Sequence, residues 1–182
     1  MRYAGIVLAG GRARRLSGVD KPALVVDGTS LLAKAIAALA GAERVVVVGP
    51  ERPGHGDVEW TREAVPGGGP VAGLMAGLAA IPPDVPRVVV LAADLPGVRV
   101  STVDRLLGAL GDRAGAVLVD AAGERQWLLG AWLAGRLREA LPERGEGASL
   151  RRVLGGLEIV EVLALPGEAE DIDTPGDLER YS

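Results

Sequence analysis

Three short apolar runs, at residues 4–8, 45–48 and 88–92, constrain this chain more than any other feature. None alternates polar with apolar residues, and each is bounded on its C-terminal side by Gly, Pro or Asp. Strands buried on both faces of a mainly parallel sheet read this way. The stretches between them are helical. Within residues 29–39, Ser30 can cap a helix on which Leu31, Leu32, Ala35, Ile36 and Leu39 recur at helical spacing. Pro70 suits the first position of a second helix through Val71, Leu74 and Leu78, which Pro82 and Pro83 stop.

The alternation continues to the end. A helix is predicted near residues 101–110 with Asp104 in an N-terminal capping role. It is followed by a strand at 116–119, a helix at 133–141, a helix after Ser149, a strand near 159–163 and a last helix beginning Thr174-Pro175. Residues 125–132 fit a strand and a helix equally well. The expected fold is α/β, a single domain over residues 1–182 with a mainly parallel, doubly wound sheet flanked by helices. In such sheets ligands bind at the carboxyl ends of the strands, near the switch in strand order, so the residues after Leu8, Val48 and Ala92 are the site candidates.

Composition narrows the chemistry. The chain has no Cys and one His, His55, in a polar loop with no assigned role. This excludes disulfides, thiol nucleophiles and Cys-ligated metal. Catalysis must use carboxylates, Lys, Arg, backbone amides or a metal held by oxygen. The net charge is −4 and the 20 basic residues are scattered, so nucleic acid is not an expected partner. No apolar stretch approaches the roughly 20 residues of a membrane span, and the N-terminal run is too short for a signal peptide. The expected location is the cytoplasm, with no membrane contact.

Two glycine-rich loops stand where ligands should bind. The first strand runs into Leu8-Ala9-Gly10-Gly11, followed by Arg14-Arg15 and then Val19-Asp20-Lys21-Pro22. Gly10 and Gly11 let the backbone approach a polyphosphate and aim N–H groups at its oxygens, while Arg15 and Lys21 supply positive charge. The dinucleotide G-x-G-x-x-G pattern is absent, and Pro22 after Lys21 breaks the P-loop pattern. The second loop, Gly67-Gly68-Gly69 before Pro70, is either a further ligand contact or a turn into a tightly packed helix with Gly73 and Gly77 on its close-contact face. At the end of the third strand, Asp94 can offer an oxygen to Mg²⁺ or cap the following turn.

Leu8, Gly10, Gly11, Arg15, Lys21 and Pro22 match the L-x-G-G-x-x-x-R…K-P signature of sugar-phosphate and cofactor nucleotidyltransferases, which the chain resembles. That family has a Rossmann-like fold of the nucleotide-diphospho-sugar transferase type. Leu-Ala-Gly-Gly, Arg14-Arg15, Val19-Asp20-Lys21 and the Gly-Pro-Val-Ala-Gly-Leu run at 69–74 look most like its molybdenum cofactor guanylyltransferase branch. The resemblance implies transfer of GMP from GTP to molybdenum-bound molybdopterin, with Mg²⁺ as cofactor. It implies that Leu8, Ala9, Gly10, Gly11, Lys21, Gly49, Glu63 and Asp94 surround the nucleotide. Arg15 would bind the outer phosphates, Lys21 would stabilise charge at the α-phosphate and Asp94 would hold magnesium. The implied associations are the two small-molecule substrates and transient contact with proteins that deliver molybdopterin or receive the cofactor, the enzyme being a monomer or weak oligomer. The rival readings are a relative using CTP or a different phosphorylated acceptor, and a non-catalytic nucleotide-binding regulator.

The chain departs from that pattern at four places. Gly49 stands where an Asn is expected, so a nucleoside contact by that side chain would be lost. Glu63 replaces an Asp, and either accepts a hydrogen bond from ribose or guanine or is solvated surface. Trp127 and Leu128 stand where Pro is common near the pterin; Trp127 either stacks on pterin or packs in the core. Asp171 and Asp173 replace two Asn in Asn-x-Asn-Thr-Pro, where Asp173 or Thr174 can equally cap the last helix.

Overall fold

A computed structural model describes residues 1–10 and 20–172. The three apolar runs are parallel strands: β1 (Ala4–Leu8) lies between β4 (Val45–Val48) and β6 (Arg87–Ala92). Beyond β4 a short parallel strand, β5 (Glu59–Thr61), forms one edge. Among the described residues the sheet has seven strands in the order β5-β4-β1-β6-β8-β7-β9, with β7 (Gly115–Val119), β8 (Arg125–Leu133) and β9 (Ile159–Leu163). The segment with ambiguous patterning is therefore the strand β8, and it runs antiparallel to both β6 and β7. It lacks alternation because its second half, Leu129 to Trp132, is buried on both faces.

Helices cover both faces. On one side α1 (Leu31–Ala38) and α3 (Val100–Leu110) bury Leu32, Ala35, Val103 and Leu106 against Val7, Val47 and Leu91. On the other, α2 (Pro70–Ala79), α4 (Ala134–Ala140) and α5 (Leu150–Leu154) bury Leu74, Leu78, Leu137 and Leu154 against Ile6, Val46 and Val90. Successive residues of β1 thus feed opposite cores, as the two-residue period of a strand requires.

Local chemistry sets several boundaries. Ser30 caps α1 as predicted, its hydroxyl accepting from the Ala33 N–H at 3.1 Å. Pro70 opens α2, and Gly77 lets that helix sit on β1: a Cβ there would come 2.6 Å from Cγ2 of Ile6. The prediction for Asp104 is corrected. It is exposed within α3, and Thr102 does the capping, its Oγ1 accepting from the Arg99 N–H at 3.2 Å. Two features escaped prediction, the edge strand β5 and the hairpin of β2 (Val25–Val26) and β3 (Thr29–Ser30). The hairpin's Asp27-Gly28 loop has φ of 53° and 75°, the left-handed pair that two-residue hairpins favour. The helix predicted at Thr174-Pro175 lies outside the described residues.

The chain leaves β1 for β4 and β5 on one side and returns to β6 on the other. The order therefore switches between β1 and β6, and the crevice at their carboxyl ends is where ligands bind in sheets of this type.

Candidate active site

Backbone hydrogen bonds lace the strand ends around this crevice. The Ala93 N–H donates to Leu8 at 3.1 Å, the Ala9 N–H to Val48 at 2.8 Å, and the Gly49 N–H to Thr61 at 2.9 Å. The side chain of Leu8 faces α2 instead, within 3.5 Å of where a Cβ on Gly73 would lie. Gly49 has a positive φ of 148°, and a Cβ there would fall 2.8 Å from the carbonyl of Ala9 and 3.0 Å from the Gly10 nitrogen. The β4 exit packs directly on the backbone of the first glycine loop, leaving no room for a side chain.

Glu63 joins the two glycine loops. Its Oε1 accepts from the Gly67 N–H at 3.1 Å, and a Cβ on Gly10 would lie 3.9 Å from both carboxylate oxygens. Glu63 is half-buried, and its bond to Gly67 lies at the exposed edge of the loops. The second loop is held from beneath by the Gly147 N–H, which donates to Gly68 at 3.0 Å. Gly73 and Gly77 lie on the close-contact face of α2, as the packing alternative required.

Lys21 reaches across the crevice to Asp94, with Nζ 3.8 Å from Oδ2 and the side chains 16% and 28% exposed. Lys21 opens a single 3-10 turn, Lys21–Ala23, closed by Ala23 N–H to Asp20 and Leu24 N–H to Lys21, each 3.0 Å. Sequence reasoning missed the residue that anchors this turn. Arg52, just past β4, grips both carboxylate oxygens of Asp20, at 2.8 and 2.6 Å. Those hydrogen bonds hold the Asp20 carboxyl below its usual range, against the opposing effect of partial burial. The only sequence signal for Arg52 was its place at the carboxyl end of β4. Gly11 and Arg15 lie outside the described residues.

Fewer of the predicted residues gather at the rim beyond Asp94 among the described residues. Leu129 of β8 pairs with Leu91, so residues 125–128 continue past the paired end of β6 on the Asp94 side. Trp127 is half-buried against the α2 core, with the Arg125 guanidinium 5.7 Å from its ring centroid. This is the packing reading of that residue. The Ile172 N–H donates to the Asp94 carbonyl at 3.3 Å, and the Ile172 side chain is buried with Val26 and Leu31. Exposed Asp171 is thereby carried to the same rim, while Asp173 lies outside the described residues. His55 packs toward Trp60, with ring centroids 6.3 Å apart.

No group of three or more His, Cys, Asp or Glu able to hold a metal occurs among the described residues. A lone carboxylate at a strand end suits Mg²⁺, which keeps its waters and completes its shell with substrate phosphate. Glycine backbone, an ammonium and a carboxylate around one crevice are the groups that the chemistry of a polyphosphate and its cation requires. No helix among the described residues is long and apolar enough to cross a membrane.

Comparison with known proteins agrees with this chemistry. The family model described as MobA-like NTP transferase domain matches residues 5–162. A molybdenum cofactor guanylyltransferase of Bradyrhizobium sp. (strain ORS 278) is 35% identical over 158 residues, covering 82% of this chain and 74% of the relative. A phosphoenolpyruvate guanylyltransferase of Streptomyces scabiei is 39% identical over 119 residues, covering 62% and 54%. Among solved structures, molybdopterin-guanine dinucleotide biosynthesis protein A from Archaeoglobus fulgidus superposes with a TM-score of 0.76 at 20% identity, covering 98% of this chain and 96% of that one.

Proposed function

Because the chain belongs to the MobA-like NTP transferase family, a family of nucleotidyltransferases, we propose that it transfers GMP from GTP to molybdenum-bound molybdopterin. The products are pyrophosphate and the guanine dinucleotide form of the cofactor. The observation that carries this reading is the facing pair of Lys21 and Asp94 at the β1–β6 switch, beside the Gly10 backbone.

The reaction is an in-line displacement at the α-phosphorus of GTP by a terminal phosphate oxygen of the acceptor. The acceptor phosphate is largely ionised at neutral pH and pyrophosphate is a stable leaving group, so neither a strong base nor a strong acid is required. This suits a chain with one His and no Cys. The backbone at Ala9 and Gly10 lies against the phosphates, and Lys21 neutralises charge that builds around the α-phosphate. In the same reading Gly11 adds a backbone donor and Arg15 grips the outer phosphates. Glu63, set between the glycine loops, orients the nucleoside, while Gly49 keeps the β4 exit close to the first loop. Asp94 would hold Mg²⁺, which when bound supplies charge neutralisation of the phosphates. Exposed Asp171, on the Asp94 rim, faces the acceptor, while Trp127 packs against the α2 core. The setting is the cytoplasm, where the cofactor passes from and to protein partners.

A second acceptor has a specific observation in its favour. The Streptomyces scabiei relative is named for phosphoenolpyruvate, and the two Asn of the pterin-side pattern are Asp171 and Asp173 here. Both named relatives are guanylyltransferases, so the donor is the shared element. Equilibrium binding of GTP, CTP and ATP, each with and without Mg²⁺, tests it. GTP is expected to bind at least tenfold more tightly than CTP with Mg²⁺ present; equal affinities would refute the assignment.

A further inference from the structure

Arg52 sits in a polar loop, yet its side chain is only 13% exposed. Its guanidinium binds three separate segments. Nε and Nη2 donate to the two carboxylate oxygens of Asp20, Nη1 to the Pro50 carbonyl at 3.0 Å, and Nη2 also to the Ala9 carbonyl at 3.3 Å. One planar cation thus joins the β1 exit, the β4 exit and the residue immediately before Lys21. Isolated surface ion pairs contribute little, but a two-point Arg–carboxylate contact that also satisfies two carbonyls is a geometric device.

Asp20 shows what is being held. It stands at the cap position of the 3-10 turn, where an Asp commonly folds its carboxylate back onto the turn's N–H groups. No such bond forms here. The carboxylate points to Arg52, while the Asp20 carbonyl accepts the Ala23 N–H that closes the turn. Arg52, Asp20 and the turn therefore form one unit, and Pro22 within it restricts the backbone further. Lys21 needs such a base. Its flexible four-carbon stem carries a single point charge, which must face Asp94 from one direction.

We propose that Arg52 is a positioning residue that acts through Asp20 to fix the turn from which Lys21 faces Asp94. The proposal rests on the transfer role assigned to Lys21. Arg52 does not itself contact the phosphates; its guanidinium is occupied by Asp20 and the two carbonyls. Lysine cannot replace it, because an ammonium cannot span both carboxylate oxygens and reach the carbonyls in a fixed fork.

The experiment is a set of combined substitutions, Arg52→Ala, Arg52→Lys, Asp20→Asn and Lys21→Ala, read as kcat and KM for GTP by pyrophosphate release, with Mg·GTP affinity and melting temperature measured in parallel. Arg52→Ala and Asp20→Asn should each lower kcat about tenfold with KM changed less than threefold, and combining them should cost no more than either alone. Arg52→Lys should recover less than a third of the loss. In a Lys21→Ala background, Arg52→Ala should change kcat less than twofold. The proposal is overturned if Arg52→Ala leaves kcat unchanged, if Arg52→Lys restores it, or if the tenfold loss persists without Lys21. If wild-type protein binds Mg·GTP but releases no pyrophosphate with either acceptor, the functional reading fails separately, and positioning is scored on hydrogen exchange of the Ala23 and Leu24 amides that close the turn. Exchange at least threefold faster in Arg52→Ala and Arg52→Lys than in wild type then supports positioning, and unchanged exchange overturns it.

Discussion

The Lys21 ammonium lies 3.8 Å from a carboxylate oxygen of Asp94, at the carboxyl ends of β1 and β6, the paired parallel strands between which the strand order switches. Neither group is placed to serve the core. Lys21→Ala and Asp94→Ala are each expected to lower kcat roughly 100- to 1000-fold, the usual cost of removing a group that stabilises transition-state charge. Both should melt within a few degrees of wild type. Steady-state kinetics with circular dichroism checks this, and near-normal turnover in either folded variant would remove the pair from the mechanism.

Gly49 bears on the same crevice through the backbone. An alanine Cβ would sit 2.8 Å from the Ala9 carbonyl, at a φ that L residues rarely adopt. Gly49→Ala should therefore destabilise the protein by about 1–3 kcal/mol. It should also weaken GTP binding, because the displaced segment is Ala9–Gly10. Chemical denaturation and nucleotide titration of one preparation give both values.

Glu63 makes a subtler prediction. Its bond to the Gly67 N–H links the loops, so Glu63→Ala should raise KM for GTP about tenfold, equivalent to about 1.4 kcal/mol, and leave kcat within threefold. Glu63→Gln keeps a carbonyl oxygen for Gly67 and should recover most of that loss. A larger effect on kcat than on KM would place Glu63 in the chemical step.

Acid stability follows from Glu168, buried behind α3. Burial favours its neutral form, but hydrogen bonds from Thr102 at 2.6 Å, from Arg105 and from the Leu165 N–H outweigh it and hold the carboxyl below its ordinary value of 4.5. A depressed carboxylate stabilises the fold at pH above that ordinary value, and the stabilisation is lost as pH falls through the lower folded value. Glu168→Gln should be about 2–4 kcal/mol less stable at neutral pH, since Arg105 loses its buried partner. Its stability should also fall less steeply below pH 4.5, which urea unfolding across pH would reveal.

The fold was legible where the controlling physics is local. Ser30, Pro70 and the three all-apolar strands act through capping, a fixed φ and burial, each confined to a few residues. β8 was not legible, because burial on both faces erases alternation and nothing local states strand direction. Among the candidate residues, Gly10 and Asp94 could be nominated because each follows a strand end, and Lys21 through the signature that it shares with the resembled family. Arg52 could not, since its partner Asp20 lies 32 residues away and the contact exists only once β1 and β4 are side by side. Asp104 was misassigned for a related reason: Thr102 is recruited as the cap while its hydroxyl also donates to distant Glu168.

The central claim, guanylyl transfer at the Lys21–Asp94 crevice, is tested most directly by Mg²⁺-dependent pyrophosphate release from GTP. The assay is run with molybdenum-bound molybdopterin, with phosphoenolpyruvate and with no acceptor. Release from GTP at least tenfold faster with molybdopterin than with either alternative, negligible from CTP, and lowered roughly 100-fold or more by Lys21→Ala is the predicted result. Equal release from CTP, or no release from GTP with any acceptor, would contradict the account.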